Sequence, residues 1–291
     1  MSEIRLLGPG DEPALERFLA THPDTTMFLR GNLQLAGIVH TGEPYSATYV
    51  AAFEGPEVVA TAAHSWGGNL LVEAPTLLEP VARAALESSG RALAGIVGSG
   101  AQVQGTRVAL GLQDAPIALD SCEDLFALDL AKLVVPEALR SGDARCRAPH
   151  PEELEKLAQW RVAYSIEILG DKDSPKLQAN SREAMQLAQA GDRHWVLDEG
   201  TGPVSYSAFN ATLPDCVQIG GVYTPPELRS VGRARAVVAG SLLLARERGV
   251  LRSLLFTGTD NQAAQRAYRA LGYQRVGDYA ILLFEPALTS F

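Results

Sequence analysis

Short stretches in which apolar positions recur every second residue alternate along this chain with longer ones in which they recur every three or four. In the first half the former predict strands over residues 3–7, 46–53, 58–65, 69–73, 93–97 and 125–130. The latter predict helices over 11–19, 27–38, 77–89 and 101–110, with turns at Gly8-Pro9-Gly10 and Glu54-Gly55-Pro56. In the second half strands are predicted over 146–148, 194–198, 204–209, 216–223, 253–257 and 279–284. Helices are predicted over 152–162 with an extension to 170, over 181–190 and 234–248, and from Asp260 to the region of Gly272. Residues 171–175 read as a polar break, and Glu199-Gly-Thr-Gly202 as the turn of a hairpin.

Strands mixed with helices in this way place the chain in the α/β class, as an α+β mixed sheet. The two halves also echo each other. Pro9 corresponds to Pro149 and Glu12 to Glu152, an offset of 140 in both cases (149 − 9 and 152 − 12). The organisation predicted is a domain over 1–135, a linker over 136–145 carrying Pro136 and Ser141-Gly142-Asp143, and a second domain over 146–291.

Composition narrows the functional classes. The 291 residues are 46% hydrophobic, enough for two cores. A net charge of −9 excludes a general nucleic-acid binder, which needs a basic face. Three widely spaced cysteines and five scattered histidines follow no metal-ligand pattern, so no metal is expected and a reducing, cytoplasmic setting is. No apolar run approaches the roughly 18 residues of a membrane span. Neither Gly-x-Ser-x-Gly nor a Cys and His arrangement offers a covalent nucleophile.

The most informative stretch starts at Val217. The strand there must end at Pro225-Pro226, and a helix follows from Ala234. Between them Arg229-Ser230-Val231-Gly232-Arg233-Ala234 combines small residues with the unpaired N–H groups of a first helical turn, a cradle for an anion such as a diphosphate. Arg229, Arg233 and Arg235 gather at an end where the macrodipole is already positive, a conflict that an anionic ligand would relieve. In the first half only Gly98-Ser-Gly-Ala-Gln-Val-Gln-Gly105 is comparably glycine-rich, and it reads as a tight strand-to-helix turn.

Arg-x-x-Gly-x-Ala after Val222-Tyr-Thr-Pro-Pro-Glu227 resembles the coenzyme A pyrophosphate loop of the GCN5-related N-acetyltransferase (GNAT) superfamily, in its FR47-like branch. Asn261-Gln-Ala-Ala264, followed by Tyr268, Gly272 and Tyr273, is similar to that family's Asn-x-x-Ala-x-x-x-Tyr-x-x-x-Gly-Phe helix. The resemblance implies two tandem domains with a splayed central strand pair, the first degenerate and lacking the loop. It further implies that acetyl-CoA or another acyl-CoA lies against Val222, Tyr223, Thr224, Arg229, Ser230, Val231, Gly232, Arg233, Ala234, Asn261 and Ala264. Val222 and Thr224 would offer main-chain groups to the pantetheine arm and the thioester oxygen, with Gly220-Gly221 permitting the irregular strand. Tyr268 would be the acid, since a phenol with an ordinary pKa of about 10 can protonate a thiolate.

The chain departs from the family in two ways. Ser230-Val231 replaces a small-then-basic pair, and the strand 217–223 holds no carboxylate to act as the amine's base. Glu167 is the candidate base or amine-binding acid, and water is the other. The reading is an N-acyltransferase moving an acetyl group to a small-molecule or peptide amine, as a monomer or homodimer. A non-catalytic acyl-CoA sensor or scaffold stands against it.

Overall fold

The computed structural model describes residues 2–290. Contacts gather the chain into two compact units, Met1–Leu125 with Phe256–Thr259 and Val276–Phe291, and Phe126–Leu255 with Asp260–Arg275. The first contains β1 (Glu3–Leu6), α1 (Glu12–Ala20), α2 (Met27–Ala36), β2 (Ala47–Glu54), β3 (Glu57–Ser65), β4 (Asn69–Glu73), α3 (Leu78–Ser89), β5 (Leu93–Gly98) and α4 (Gly100–Ala109). β6 (Ile117–Asp129) carries the chain into the second unit. There follow α5 (Glu137–Ser141), β7 (Arg145–Arg147), α6 (Leu154–Leu169), α7 (Pro175–Ala190), β8 (His194–Asp198), β9 (Pro203–Thr212), β10 (Cys216–Tyr223), α8 (Arg233–Glu247), β11 (Arg252–Thr257) and α9 (Gln262–Arg269). The last strand, β12 (Gln274–Leu288), belongs from Val276 onward to the first unit.

From β1 and again from β7 the order is strand, two helices, three strands, helix, strand, helix, strand. The echo seen in a few residues is therefore a repeat of whole elements, with α5 inserted between the copies. The stretch 136–145 holds that helix and lies inside the second unit, where Ala138 and Leu139 pack on the core and the Ala144 N–H bonds the Ala138 carbonyl.

In the first unit β1, β2, β3 and β4 pair antiparallel in sequence, β4 pairs parallel with β5, and β12 closes antiparallel on β5. One face is covered by α3 and α4, against which Val81, Leu86, Ile96, Val103, Leu282 and Phe284 are buried. The other holds Leu15, Leu19, Leu29 and Tyr49. The β4–β5 register ends at Leu71↔Val97, and the end of β4 is then filled by side chains. The Gln102 amide oxygen accepts from Ala74 N–H at 2.6 Å, its nitrogen donates to the buried Glu73 carboxylate at 3.0 Å, and Thr25 donates to the same carboxylate.

In the second unit β7, β8, β9 and β10 pair antiparallel, and β11 is parallel to β10. Strand alternation sends Trp195, Phe209, Val217 and Ile219 toward α8, and Val196, Tyr206 and Ala208 toward α6 and α7. Both faces are covered, so apolar side chains of β8 to β10 are buried on either side of the sheet. Each fully buried large side chain contributes about 1.5–3 kcal/mol.

Three elements are longer than their sequence signals. α7 starts at Pro175, because the Ser174 hydroxyl accepts from Leu177 N–H at 3.1 Å and Pro175 occupies the first turn, where no N–H is needed. β6 and β12 extend well beyond 125–130 and 279–284 through polar residues that pairing alone sustains. No helix among the described residues is long and apolar enough to cross a membrane.

Candidate active site

β10 and β11 part company early. Their parallel register runs from Cys216↔Arg252 to Gln218↔Leu254, while both strands continue for several residues more. On its other edge β10 pairs with β9 up to Gly220↔Ala208 and resumes at Tyr223↔Tyr206, so one extra residue on β10 is bulged out. Gly221, at φ 61°, takes the left-handed conformation the bulge demands. Gly221 and Val222 thus have no register partner on either neighbour among the described residues.

The chain leaves β10 through Pro225, turns once as a 3-10 helix over Pro226–Leu228 and enters α8 through a loop with two left-handed residues, Ser230 at φ 70° and Gly232 at φ 89°. The turn consumes the N–H groups of Leu228 and Arg229, bonded to the Pro225 and Pro226 carbonyls. From Ser230 to Arg235 the main-chain N–H groups meet no protein acceptor among the described residues, and no side chain caps α8. Ser230 pays the usual left-handed penalty of about 1–2 kcal/mol.

Two of the three arginines here are already matched. The Arg229 guanidinium donates to both Glu167 oxygens at 2.6 and 2.7 Å and through Nε to the Thr224 carbonyl at 2.8 Å. Arg233 grips Glu199 at 2.8 and 2.7 Å and donates to the Leu228 carbonyl at 3.0 Å. The positive charge read from the sequence as unrelieved is thus largely met by acids of the protein itself. Arg235 is exposed and has no ion-pair partner among the described residues. The Arg229 hydrogen bond also holds the Glu167 carboxyl below its usual range, with burial opposing it. A carboxylate so held is a poor proton acceptor, which counts against Glu167 as a general base.

On α9 the Asn261 side-chain oxygen accepts from Ala264 N–H at 3.1 Å, so it caps the helix. Tyr268 is half-buried against the same core as Val222 and Leu228, with its ring edge-on to Tyr273 at 6.0 Å. The Tyr273 hydroxyl lies 2.6 Å from that of Ser253 on β11, and burial pushes the Tyr273 phenol well above its ordinary range.

Across the bulge, α6 and β9 contribute further residues. Trp160, Arg161, Tyr164, Tyr206, Gly221 and Tyr223 wall one hollow. The Trp160 and Tyr223 rings stand 6.2 Å apart, and Arg229 lies over Tyr223 at 5.6 Å. The Tyr206 hydroxyl reaches His194 Nδ1 at 3.3 Å, and His194 Nε2 reaches the Gln189 amide oxygen at 2.8 Å. Burial pushes His194 down to about 4 and raises Tyr206. Alternation along β9 would have put Tyr206 and Ala208 on one face, but with apolar residues on both faces it did not tell which one.

A cradle of main-chain donors behind a bulged, splayed strand is what a comparison with known families can test. Residues 154–273 match the acetyltransferase (GNAT) family. The match starts with α6 and ends just after α9, so it spans the bulge, the loop and Tyr268. Solved structures extend the likeness in fold along the whole chain. A GCN5-related N-acetyltransferase from Sphaerobacter thermophilus is 15% identical with TM-score 0.57, over 100% of this chain and 98% of its own. A tandem GNAT protein from the clavulanic acid biosynthesis pathway is 14% identical with TM-score 0.54, over 97% of each chain. A Drosophila protein reaches TM-score 0.67 at 9% identity, over 97% of this chain and 98% of its own. No curated protein matches the chain.

Within this GNAT-like arrangement the two units differ where α3 and α8 begin. α3 follows Leu77 at φ 54° and carries Glu79 and Pro80 in its first turn. An acid and a residue without an N–H stand there in place of the donors that open α8. Among the described residues, no group of three or more His, Cys, Asp or Glu is placed to hold a metal ion.

Proposed function

We propose that the second unit binds acetyl-CoA, or another acyl-CoA, and transfers the acyl group to a primary amine by direct attack. The single observation that carries this reading is the run of unengaged main-chain N–H groups from Ser230 to Arg235, following a strand whose register with β11 has ended and which bulges locally against β9. The donors suit the diphosphate of coenzyme A. Gly221, Val222, Tyr223 and Thr224 lie along the path of the pantetheine arm, and a main-chain donor there would stabilise the thioester oxygen as it gains charge, by roughly 3 kcal/mol.

In the reaction the amine nitrogen forms a bond to the acyl carbon, the tetrahedral centre collapses and the carbon–sulfur bond breaks. The departing thiolate takes the Tyr268 phenolic proton, and the proton lost by the amine passes to water. Asn261 and Ala264 then serve through α9, the first as its cap and the second as a small residue beside the cofactor. Arg229 exchanges Glu167 for phosphate when the cofactor arrives. The first unit, with Glu79 and Pro80 opening α3, takes no coenzyme A and supports the second. The protein works in the cytoplasm on a small-molecule or peptide amine.

Titration with acetyl-CoA, coenzyme A and pantetheine while following thermal unfolding tests the cradle. Both nucleotides should raise Tm, by about 2.7 kcal/mol of added stability at a hundredfold excess over Kd, and pantetheine should not. Equal effects of all three, or none, would remove the reading. The absence of a carboxylate from β10 favours one alternative, an acyl-CoA sensor, and binding without thiol release on any amine would select it.

A further inference from the structure

We infer that Gln218 receives an N–H of the acceptor amine and so holds its nitrogen, as the neutral free base, against the acyl carbon. Gln218 thereby joins the acyl transfer proposed above, and the cofactor half of its role rests on that reading.

Gln218 stands on the last rung that β10 shares with β11, Gln218↔Leu254. Both strands continue beyond it without register, so the side chain marks the foot of the fork between them. Val217 and Ile219 pack on the α8 side, and alternation turns Gln218 to the opposite face, that of α6 and α7. There the residue is 2% exposed, and its Oε1 meets no hydrogen-bond donor among the described residues. A buried oxygen without a donor is unfavourable, and Met or Leu would fill the same space without that penalty. An N–H brought into the fork removes the penalty and leaves the carboxamide in place.

The surroundings select the donor. Toward the bulge β10 carries no side chain, because Gly220 and Gly221 come next on this path. The room beside Gly220 belongs to the Asn210 carboxamide of β9, since a Cβ at Gly220 would stand 2.1 Å from Asn210 Nδ2 and 2.3 Å from Oδ1. Two neutral carboxamides therefore lie along the way from the foot of the fork to the bulge, and β10 holds no carboxylate. Such a lining suits an uncharged N–H donor, whereas an ammonium would be buried without a counter-ion.

The two faces also divide the reaction. Tyr268 packs on the α8-side core, opposite Gln218. An acyl group held in the fork between them is attacked from the Gln218 side, and the sulfur leaves toward the phenol. The nitrogen–carbon bond forms and the carbon–sulfur bond breaks. Gln218 Oε1 accepts a hydrogen bond and takes no proton, which passes to water as above.

Two stable thioethers of coenzyme A that differ only at the end entering the fork test this. Carboxamidomethyl-CoA ends in C(=O)NH2, with N–H donors where the attacking nitrogen belongs, and acetonyl-CoA ends in C(=O)CH3, with none. Calorimetry on the full chain should give carboxamidomethyl-CoA a Kd about 3- to 10-fold lower, the range of a neutral hydrogen bond. Gln218→Met should abolish the difference by weakening that ligand alone, with the Kd of coenzyme A unchanged. Gln218→Glu retains an acceptor and should retain the preference. Equal affinities in the wild-type chain, or a preference that survives Gln218→Met, would overturn the inference, and the wild-type comparison decides it even where Gln218→Met does not fold. Binding of coenzyme A without the preference sinks this inference alone. Failure of coenzyme A itself to bind sinks the acyl-transfer reading and this inference with it.

Discussion

Tyr268 and Glu167 show how differently single residues fare once their neighbours are known. Tyr268 is half-buried against the core that also packs Val222 and Leu228, and the proposed acyl transfer gives it the acid role. Tyr268→Phe is expected to lower kcat by about 10²-fold or more with little change in KM for acetyl-CoA, checked by thiol release under saturating substrates. Glu167 is bound on both oxygens by Arg229, a pairing that residues 62 positions apart in sequence do not announce. Glu167→Gln should therefore change kcat by less than about 10-fold, whereas loss of a true base would cost 10²-fold or more. Gly232 is a third case. Its φ of 89° belongs to the region where a side chain is strained, so Gly232→Ala should cost about 1 kcal/mol in stability and weaken acetyl-CoA binding, both measurable by thermal shift with and without ligand.

Among elements, α8 has the most exacting seat. It presses on β7 so closely that a Cβ at Gly240 would stand 2.2 Å from the Cys146 Cβ and 2.9 Å from its sulfur. Gly240→Ala should destabilise by roughly 1–3 kcal/mol in urea denaturation, and adding Cys146→Gly should recover part of the loss by vacating the same space. Burial pushes the Cys146 thiol up to about 12, so it packs as an apolar side chain. Nothing in the apolar pattern of 234–248 marks Gly240 as a contact point, because periodicity reports which side of a helix is buried and not how near the facing strand comes. The helix itself, and the two prolines that end β10 before it, were plain in the sequence.

For the whole molecule two further outcomes follow. His64 in the first unit and His194 in the second are buried, and burial pushes both from the ordinary value of about 6.5 down to about 4. The unfolded chain takes up these protons at higher pH than the folded one. The contribution of these histidines to stability should be full above about pH 6.5 and be lost as pH drops toward about 4, by on the order of 3 kcal/mol per histidine. Denaturant unfolding at several pH values checks this, and His194→Gln should shallow the slope. The second outcome concerns β12. Ala280, Leu282 and Phe284 are buried in the core of the first unit, so residues 146–291 produced alone should leave that strand without its partner β5 and aggregate more readily than the full chain.

The repeat of elements, the α/β class, the strand, loop and helix from Cys216 to Glu247 and the tyrosine on α9 were all legible in order along the chain. Each depends on local periodicity, on prolines and glycines, or on donors a few residues apart. Three things were settled only by folding: the passage of β12 into the first unit, the capture of Arg229 by Glu167, and the aromatic wall around Arg161. These bring together groups distant in sequence, and strands covered on both faces do not reveal from their composition which neighbour each side chain will meet.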